Sequence, residues 1–289
     1  MSHTPTRRDA LAAFALPLLP AVAPADTKPA ANALTMVVTD PLAAELACSC
    51  VKGYAQRDYE ALGKYLASKI GRPVDVHFSE SLAGALVKKT GGKVDLIIGK
   101  DSVVKATAPE QKVAVTYLAA LTGTDGKTTQ TGLICVAGTD KALTVSDLGE
   151  HRVLFGPAPA EEKHAAALTL FKELNVKVPE KLETCPTCTD GAKKVVAAGK
   201  AGEKLAVVIS SYAQPLLEGC GTIKKGELRV VGETDPVPFV AAFATATLPA
   251  GELTTVKAAL LAVGANKELC AALETKSGFV EPPAPAKKK

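Results

Sequence analysis

The 289-residue sequence contains no tryptophan and few other aromatic residues, seven phenylalanines and five tyrosines. This scarcity argues against a surface that binds carbohydrate by ring stacking. Histidine is also scarce, and only His77, His151 and His164 lie beyond the N-terminal segment. The chain contains no GxSxG or HExxH motif, no glycine-rich phosphate loop and no paired carboxylate arrangement. We therefore expect a binding protein, not an enzyme.

No apolar run in the sequence is long enough to cross a bilayer, which takes about 20 residues. The N-terminus instead has Arg7-Arg8, an apolar run over 11–19, and small residues that allow cleavage after Ala23 or Ala25. These features predict a signal peptide over 1–25, and hence a periplasmic or secreted protein that is not integral to the membrane. The arginine pair resembles a twin-arginine signal, and an ordinary basic segment for the general secretory route is the alternative.

The net charge of +4 gives little reason to expect a nucleic-acid partner. Removal of Arg7, Arg8 and Asp9 with the signal leaves +3, which Lys287–Lys289 account for. The proline-rich and lysine-rich segment 279–289 is predicted to be a disordered tail. The folded body is therefore close to neutral.

Short β-rich runs alternate with amphipathic helical stretches, a pattern typical of an α/β fold with mostly parallel sheets. The first unit has predicted strands at 34–38, 74–78 and 94–98, with helices at 59–70 and 81–90. The second unit has predicted strands at 132–137, 152–155, 178–183 and 205–209, with helices at 144–148, 160–174 and 189–198. Two similar units in one exported chain predict a two-lobe clamshell.

Several short sequence segments, in order along the chain, resemble segments of the periplasmic binding proteins of phosphate, phosphite and phosphonate ABC transporters (PhnD-like). They are Gly71-Arg72-Pro73-Val74, Gly92 to Gly99, Lys141 to Leu148, Val208 to Tyr212 and Gly232 to Pro238. The resemblance covers residues 34 to 275. It implies the type II periplasmic-binding-protein fold, with helices flanking each sheet and a ligand cleft between the lobes. It also implies an extracytoplasmic solute-binding protein that serves an ABC permease.

On this fold we predict lobe one over 33–131 and 212–278, and lobe two over 132–211. The chain would cross between the lobes near 131–135 and again near 209–212, and hinge bending at these crossings would close the cleft.

The resemblance also implies where a ligand would lie, although several expected anion contacts differ. The family's serine-rich turn corresponds to 156–160, which has no hydroxyl group, and an aromatic position corresponds to Ser81. The candidate ligand-binding residues are Cys48, Ser49, Cys50, Ser81, Lys100, Ser102, Lys163, Cys188, Thr189 and Tyr212. A small-molecule or anionic ligand is expected.

Two closely spaced cysteine pairs stand at loops that lead from strands into helices, where open α/β sheets bind ligands. If Cys48, Cys50, Cys185 and Cys188 face one cleft, they could bind copper or zinc, since both spacings suit soft metals. A disulfide between Cys185 and Cys188 is an alternative in an oxidising compartment, and so is plain packing. Two further hypotheses are a thiol-based metal-binding or redox accessory protein on this fold, and a binding-protein-like subunit of a periplasmic dehydrogenase system.

Overall fold

The computed structural model describes residues 32–47 and 56–282. Within them the chain forms two α/β lobes, as predicted, and each lobe has a central sheet with apolar clusters on both faces. None of the helices in these described ranges is long and apolar enough to cross a membrane.

Lobe one contains a six-stranded sheet. Its strands are β1 (Leu34–Val38), β2 (Val74–Phe78), β3 (Leu96–Lys100), β4 (Val115–Leu121), β12 (Val240–Thr245) and β13 (Phe279–Val280), and they lie in the order β13-β4-β12-β3-β1-β2. Its helices are α1 (Tyr59–Ile70), α2 (Leu82–Lys88), α3 (Asp101–Glu110), α7 (Ala250–Leu261) and α8 (Lys267–Ala272). The parallel strands β2, β1 and β3 bring their carboxyl ends to one edge of the sheet. The last strand of this sheet, Phe279–Val280, lies in the segment 279–289 that we predicted to be a disordered tail, and that prediction is wrong for these two residues because they pair with Leu121 and Ala120.

Lobe two contains a five-stranded sheet. Its strands are β6 (Gly132–Ala137), β7 (Arg152–Phe155), β8 (Glu183–Thr184), β9 (Leu205–Ser210) and β10 (Leu228–Glu233), and they lie in the order β10-β6-β9-β7-β8. Its helices are α4 (Ala165–Glu173), α5 (Cys188–Ala201) and α6 (Ala213–Gly219), and 3-10 turns cover Val145–Glu150 and Glu161–Lys163. Strands β8, β7 and β9 are parallel, so their carboxyl ends also share one edge.

A two-stranded ribbon connects the lobes, formed by β5 (Thr129–Gln130) and β11 (Val237–Pro238). The first crossing, from β5 into β6, lies where we predicted it. The return crossing differs from the prediction, because β10 pairs with β6 and keeps the chain in lobe two through Glu233. Residues 212–233 therefore lie with lobe two, and the return crossing follows them at Thr234.

The helix predicted at 59–70 matches α1, and its local sequence explains both ends. Tyr59, Leu62 and Leu66 are buried on one face, as the three- and four-residue spacing predicted. The Asp58 side chain accepts a hydrogen bond from the backbone N–H of Ala61 and begins the helix. Gly71 ends it with a φ of 72°, a conformation that glycine adopts without strain.

Two predicted elements of lobe two differ in the structure. The strand predicted at 178–183 is confined to Glu183–Thr184. The helix predicted at 160–174 is divided at His164, whose φ of −125° and ψ of −84° are not helical. The loop before it is closed by a hydrogen bond from the backbone N–H of Gly156 to the Lys163 carbonyl, 3.0 Å long. That loop geometry holds Glu161–Lys163 in a separate 3-10 turn at the edge of the cleft.

Candidate functional site

The carboxyl ends of strands from both lobes meet at a buried charged cluster. Lys100 is the last residue of β3 in lobe one, whereas Ser210 ends β9 and Glu162 lies in the 3-10 turn after β7, both in lobe two. Lys100 forms an ion pair with Glu162, and its Nζ atom also donates to Ser210 Oγ at 3.2 Å. Ser210 Oγ in turn donates to Glu162 Oε1 at 2.7 Å. These contacts cross the cleft and join the two lobes.

The Glu162 carboxylate is ionised although it has no solvent exposure. Burial raises the pKa of Glu162, but the charge of Lys100 and the hydrogen bonds from Lys100 and Ser210 outweigh burial, so the pKa lies below its ordinary value. One oxygen, Oε1, receives both hydrogen bonds, while Oε2 is buried without a partner. The cluster thus contains a carboxylate that is only half satisfied.

Lys163 brings a second buried ammonium group to the same place. The residue is 7% exposed, and its Nζ atom lies 3.8 Å from the Sγ atom of Cys188, the first residue of α5. In the described part of the chain no carboxylate forms an ion pair with Lys163. The cluster of Lys100, Lys163 and Glu162 therefore has an excess positive charge, in a place that water reaches poorly.

A stack of rings and cations lies beside this cluster. The rings of Tyr212 and Phe239 are stacked with centroids 5.3 Å apart, Lys100 lies over Tyr212, and Arg57 lies over Phe239. Burial raises the pKa of Tyr212 far above its usual range, and the neighbouring Cys188 adds to that shift. The phenol group therefore stays protonated and can act as a hydrogen-bond donor.

A buried ion pair fixes the lobe-one end of this stack. Arg57 donates to Asp40 Oδ2 at 2.8 Å, and the Tyr59 hydroxyl donates to the same oxygen at 2.6 Å. Both members of the ion pair are almost fully buried. The pair holds the Arg57 guanidinium in place over Phe239.

A cavity of about 720 Å³ opens beside Tyr212 and Phe239, between the hinge ribbon and lobe one. The described residues that line it include Arg57, Gln130, Ser211 and Thr275. This volume lies within the range of small-molecule sites. The cavity meets the ring stack at Tyr212 and Phe239, whereas Lys100, Lys163 and Glu162 are not among the residues that line it.

Five of the predicted site residues lie at this cleft, namely Lys100, Ser102, Lys163, Cys188 and Tyr212. The Oγ atom of Ser102 accepts a hydrogen bond from the backbone N–H of Glu161. Ser81 has a local role instead, because its side chain caps α2 through the N–H of Gly84. Thr189 follows Cys188 in the first turn of α5, where Thr187 and not Thr189 provides the cap. Whether either residue contacts a ligand stays a prediction.

Two of the four cysteines predicted to share the cleft, Cys185 and Cys188, lie within the described residues. Cys48 and Cys50, with Ser49 between them, lie outside the described residues. Cys185 is buried in the lobe-two core, whereas Cys188 is partly exposed, and both are free thiols. Within the described ranges no group of three or more His, Cys, Asp and Glu residues could hold a metal. The copper or zinc site therefore stays a prediction.

Sequence reasoning missed Glu162, Ser210, Phe239 and Arg57. Ser210 had a usable signal, since it is the first polar residue after the apolar run at 205–209. Glu162 had one too, because it lies directly before Lys163, which was already a candidate. Nothing local indicated Arg57, because its contacts depend on the packing of distant segments.

Comparison with known proteins decides the family. The family profile described as an ABC transporter, phosphonate, periplasmic substrate-binding protein matches residues 53–284. The chain belongs to this family. Its members are substrate-binding components of transporters, not enzymes, and they work in the periplasm.

Solved structures share the fold at low sequence identity. A binding protein component of an ABC phosphonate transporter from Pseudomonas aeruginosa has a TM-score of 0.64 and 15% identity, over 86% of this chain and 81% of that one. PhnD1 from Prochlorococcus marinus, in complex with methylphosphonate, has a TM-score of 0.63 and 11% identity, over 86% and 92% of the two chains. A Xanthomonas citri protein bound to ATP has a TM-score of 0.63 and 12% identity, over 88% and 92%. No curated protein sequence matches the chain.

Proposed function

We propose that this protein captures a small phosphonate-type oxyanion between its lobes and delivers it to an ABC permease. The observation that carries the proposal is the convergence of Lys100 from lobe one with Lys163 and Ser210 from lobe two. Two ammonium groups and a hydroxyl in a poorly solvated cleft are suitable donors for a phosphorus oxyanion. The family's own description supports the same ligand class.

Donors from both lobes would also explain how a bound ligand keeps the cleft closed. A ligand that contacts Lys100 and Lys163 together gains its full set of contacts only when the lobes are close. The hinge would lie at the two crossings, next to Gly132 and Thr234, where the ribbon of β5 and β11 enters lobe two. The closed form with ligand bound would then be the one that the permease recognises.

We propose that residues 1–25 direct export and are removed, by either the twin-arginine or the general secretory route. The family's place in the periplasm supports this assignment. Intact mass measurement of the protein recovered from the periplasm would test it. A mature N-terminus at Pro24 or Asp26 is expected, and a full-length cytoplasmic product would contradict it.

The experiment that tests the ligand is a thermal-shift series on the mature protein with methylphosphonate, phosphite and phosphate, and with glucose as the uncharged control. A ligand at a hundredfold its Kd adds about 2.7 kcal/mol to the free energy of unfolding, which is a clear rise in Tm. We expect at least one of the oxyanions to raise Tm in a saturable manner and glucose to leave it unchanged. No shift with any oxyanion up to millimolar concentration would contradict the proposal.

A further inference from the structure

The oxyanion donors at the cleft already have a partner within the chain. Lys100 and Ser210 both donate to the same oxygen of Glu162, and the side chain has no solvent exposure. The second oxygen is buried and has no hydrogen-bond partner, so the contacts with Lys100 and Ser210 are concentrated on one half of the carboxylate. The Glu162 carboxylate therefore occupies the position in which an external oxyanion would accept hydrogen bonds from Lys100 and Ser210.

The backbone keeps Glu162 in this position. Its carbonyl oxygen lies so close to Gly132, at the first crossing, that a Cβ atom there would be 2.0 Å away. The preceding residue, Glu161, donates its N–H to Ser102 Oγ of lobe one at 3.3 Å. The turn that carries Glu162 is therefore packed against both the hinge and the opposite lobe.

Electrostatics make Glu162 and an incoming oxyanion competitors. Two like charges that share one buried site repel each other, and the repulsion is large where water does not screen it. The one hydroxyl proton of Ser210 is donated to Glu162, and two of the three N–H donors of Lys100 are directed at Glu162 and Ser210. Lys100 and Ser210 together therefore have one donor left for an external oxyanion while Glu162 stays in place.

We propose that Glu162 is an internal ligand, a carboxylate of the chain that occupies the oxyanion donors, holds the lobes together without substrate, and must be displaced by an external oxyanion. The inference rests on the proposed function for the class of ligand. It adds that Glu162 sets the affinity and selects against anions too weak to displace it.

Calorimetric titration of the mature protein with methylphosphonate and with inorganic phosphate tests this inference. In Glu162→Gln the like charge is gone and the shape is kept, so we expect about tenfold tighter binding or better than in the wild type. The matched control is Glu150→Gln, which removes the exposed ion pair with Lys204 in the same lobe and should not change the affinity. Circular dichroism establishes that each variant is folded.

Small-angle scattering of the ligand-free proteins gives an independent result. Glu162→Gln should have a larger radius of gyration than the wild type, and saturation with methylphosphonate should restore the smaller value. If Glu162→Gln fails to fold, Glu162→Asp replaces it, since the shorter side chain keeps the charge but reaches less far toward Lys100. We expect Glu162→Asp to bind methylphosphonate more tightly than the wild type does, but by a smaller factor than Glu162→Gln.

The outcomes separate this inference from the proposed function. If the wild type binds methylphosphonate and the folded variants bind no more tightly, the inference is wrong and the proposed function stands. If only the Glu162 variants bind, the oxyanions do not displace Glu162 in the wild type, and both the displacement and the proposed function are wrong. If no form binds either oxyanion, both are wrong.

Discussion

The Nζ atom of Lys163 lies 3.8 Å from the Sγ atom of Cys188, at the start of helix α5. The backbone N–H of Ser210 points at the same sulfur, 3.5 Å away. Cys188 is thus the described cysteine that takes part in the cleft, whereas Cys185 belongs to the lobe-two core.

Thiol labelling should distinguish Cys188 from the buried cysteines. We expect iodoacetamide to modify Cys188 well before Cys135 or Cys185, because Cys188 is partly exposed and the other two are buried. Burial raises the pKa of Cys135 to about 12, which keeps that thiol protonated and unreactive. Peptide mapping by mass spectrometry gives the order, and methylphosphonate should slow the modification of Cys188. Equal labelling of all three in the folded protein would contradict this placement.

Loss of the buried ion pair between Arg57 and Asp40 should lower the free energy of unfolding. Arg57→Met leaves the Asp40 carboxylate buried without its cation, so we expect a loss of about 3 to 5 kcal/mol in the free energy of unfolding. Urea denaturation measures the loss. Arg152→Met is the control, since it removes an exposed ion pair with Glu183 and should leave stability unchanged. Similar urea midpoints for the two variants would show that the Arg57 pair is not important for stability.

Gly132 should not tolerate a side chain. A Cβ atom at this position would lie 2.0 Å from the Glu162 carbonyl oxygen, and backbone must move to accommodate it. We expect Gly132→Ala to lower the free energy of unfolding by about 1 to 3 kcal/mol. Gly149→Ala is the matched control, because nothing lies within 4 Å of the place that its methyl group would take. A Gly132→Ala protein as stable as the control would mean that this close approach is absent in solution.

Acid should weaken the protein partly through Glu162. The pKa of Glu162 in the folded protein lies below its ordinary value of 4.5, so the folded state binds this proton less readily than the unfolded state. The stability that the carboxylate contributes is therefore present above about pH 4.5 and is lost as the pH falls through the folded pKa. We expect Tm to fall in this range, and to fall less steeply in Glu162→Gln. If the Tm of the two proteins falls equally steeply with pH, groups other than Glu162, such as Asp140, cause the acid sensitivity.

Local sequence patterns were enough to predict the two lobes and about half of their elements, while α3, β4, β12 and α7 of lobe one were not assigned. The spacing of Tyr59, Leu62 and Leu66, and the turn at Gly71, determined helix α1, because both signals act within a few residues. The return crossing was misplaced because β10 pairs with β6, which lies far earlier in the chain, with a bulge between Val230 and Gly232. Periodicity does not report such a distant pairing.

The candidate site was predictable only in part for the same reason. Lys100, Lys163 and Tyr212 could be placed by family resemblance, since each lies at a recognisable strand or loop position. The contact between Lys100 and Glu162 joins residues 62 positions apart and exists only when the lobes are close. Cys185 and Cys188 both pack against the lobe-two core, but only Cys188, at the start of α5, also contacts Lys163.

The most direct test of the account is a calorimetric titration of methylphosphonate into the mature wild-type protein and into Lys163→Met. Lys163 supplies the buried positive charge that no carboxylate of the described chain balances in an ion pair. We predict one methylphosphonate bound per wild-type chain, and a Kd about tenfold higher or more in Lys163→Met, since a charged donor to an oxyanion is lost. Equal affinity in the two proteins, or no binding to the wild type, would contradict it.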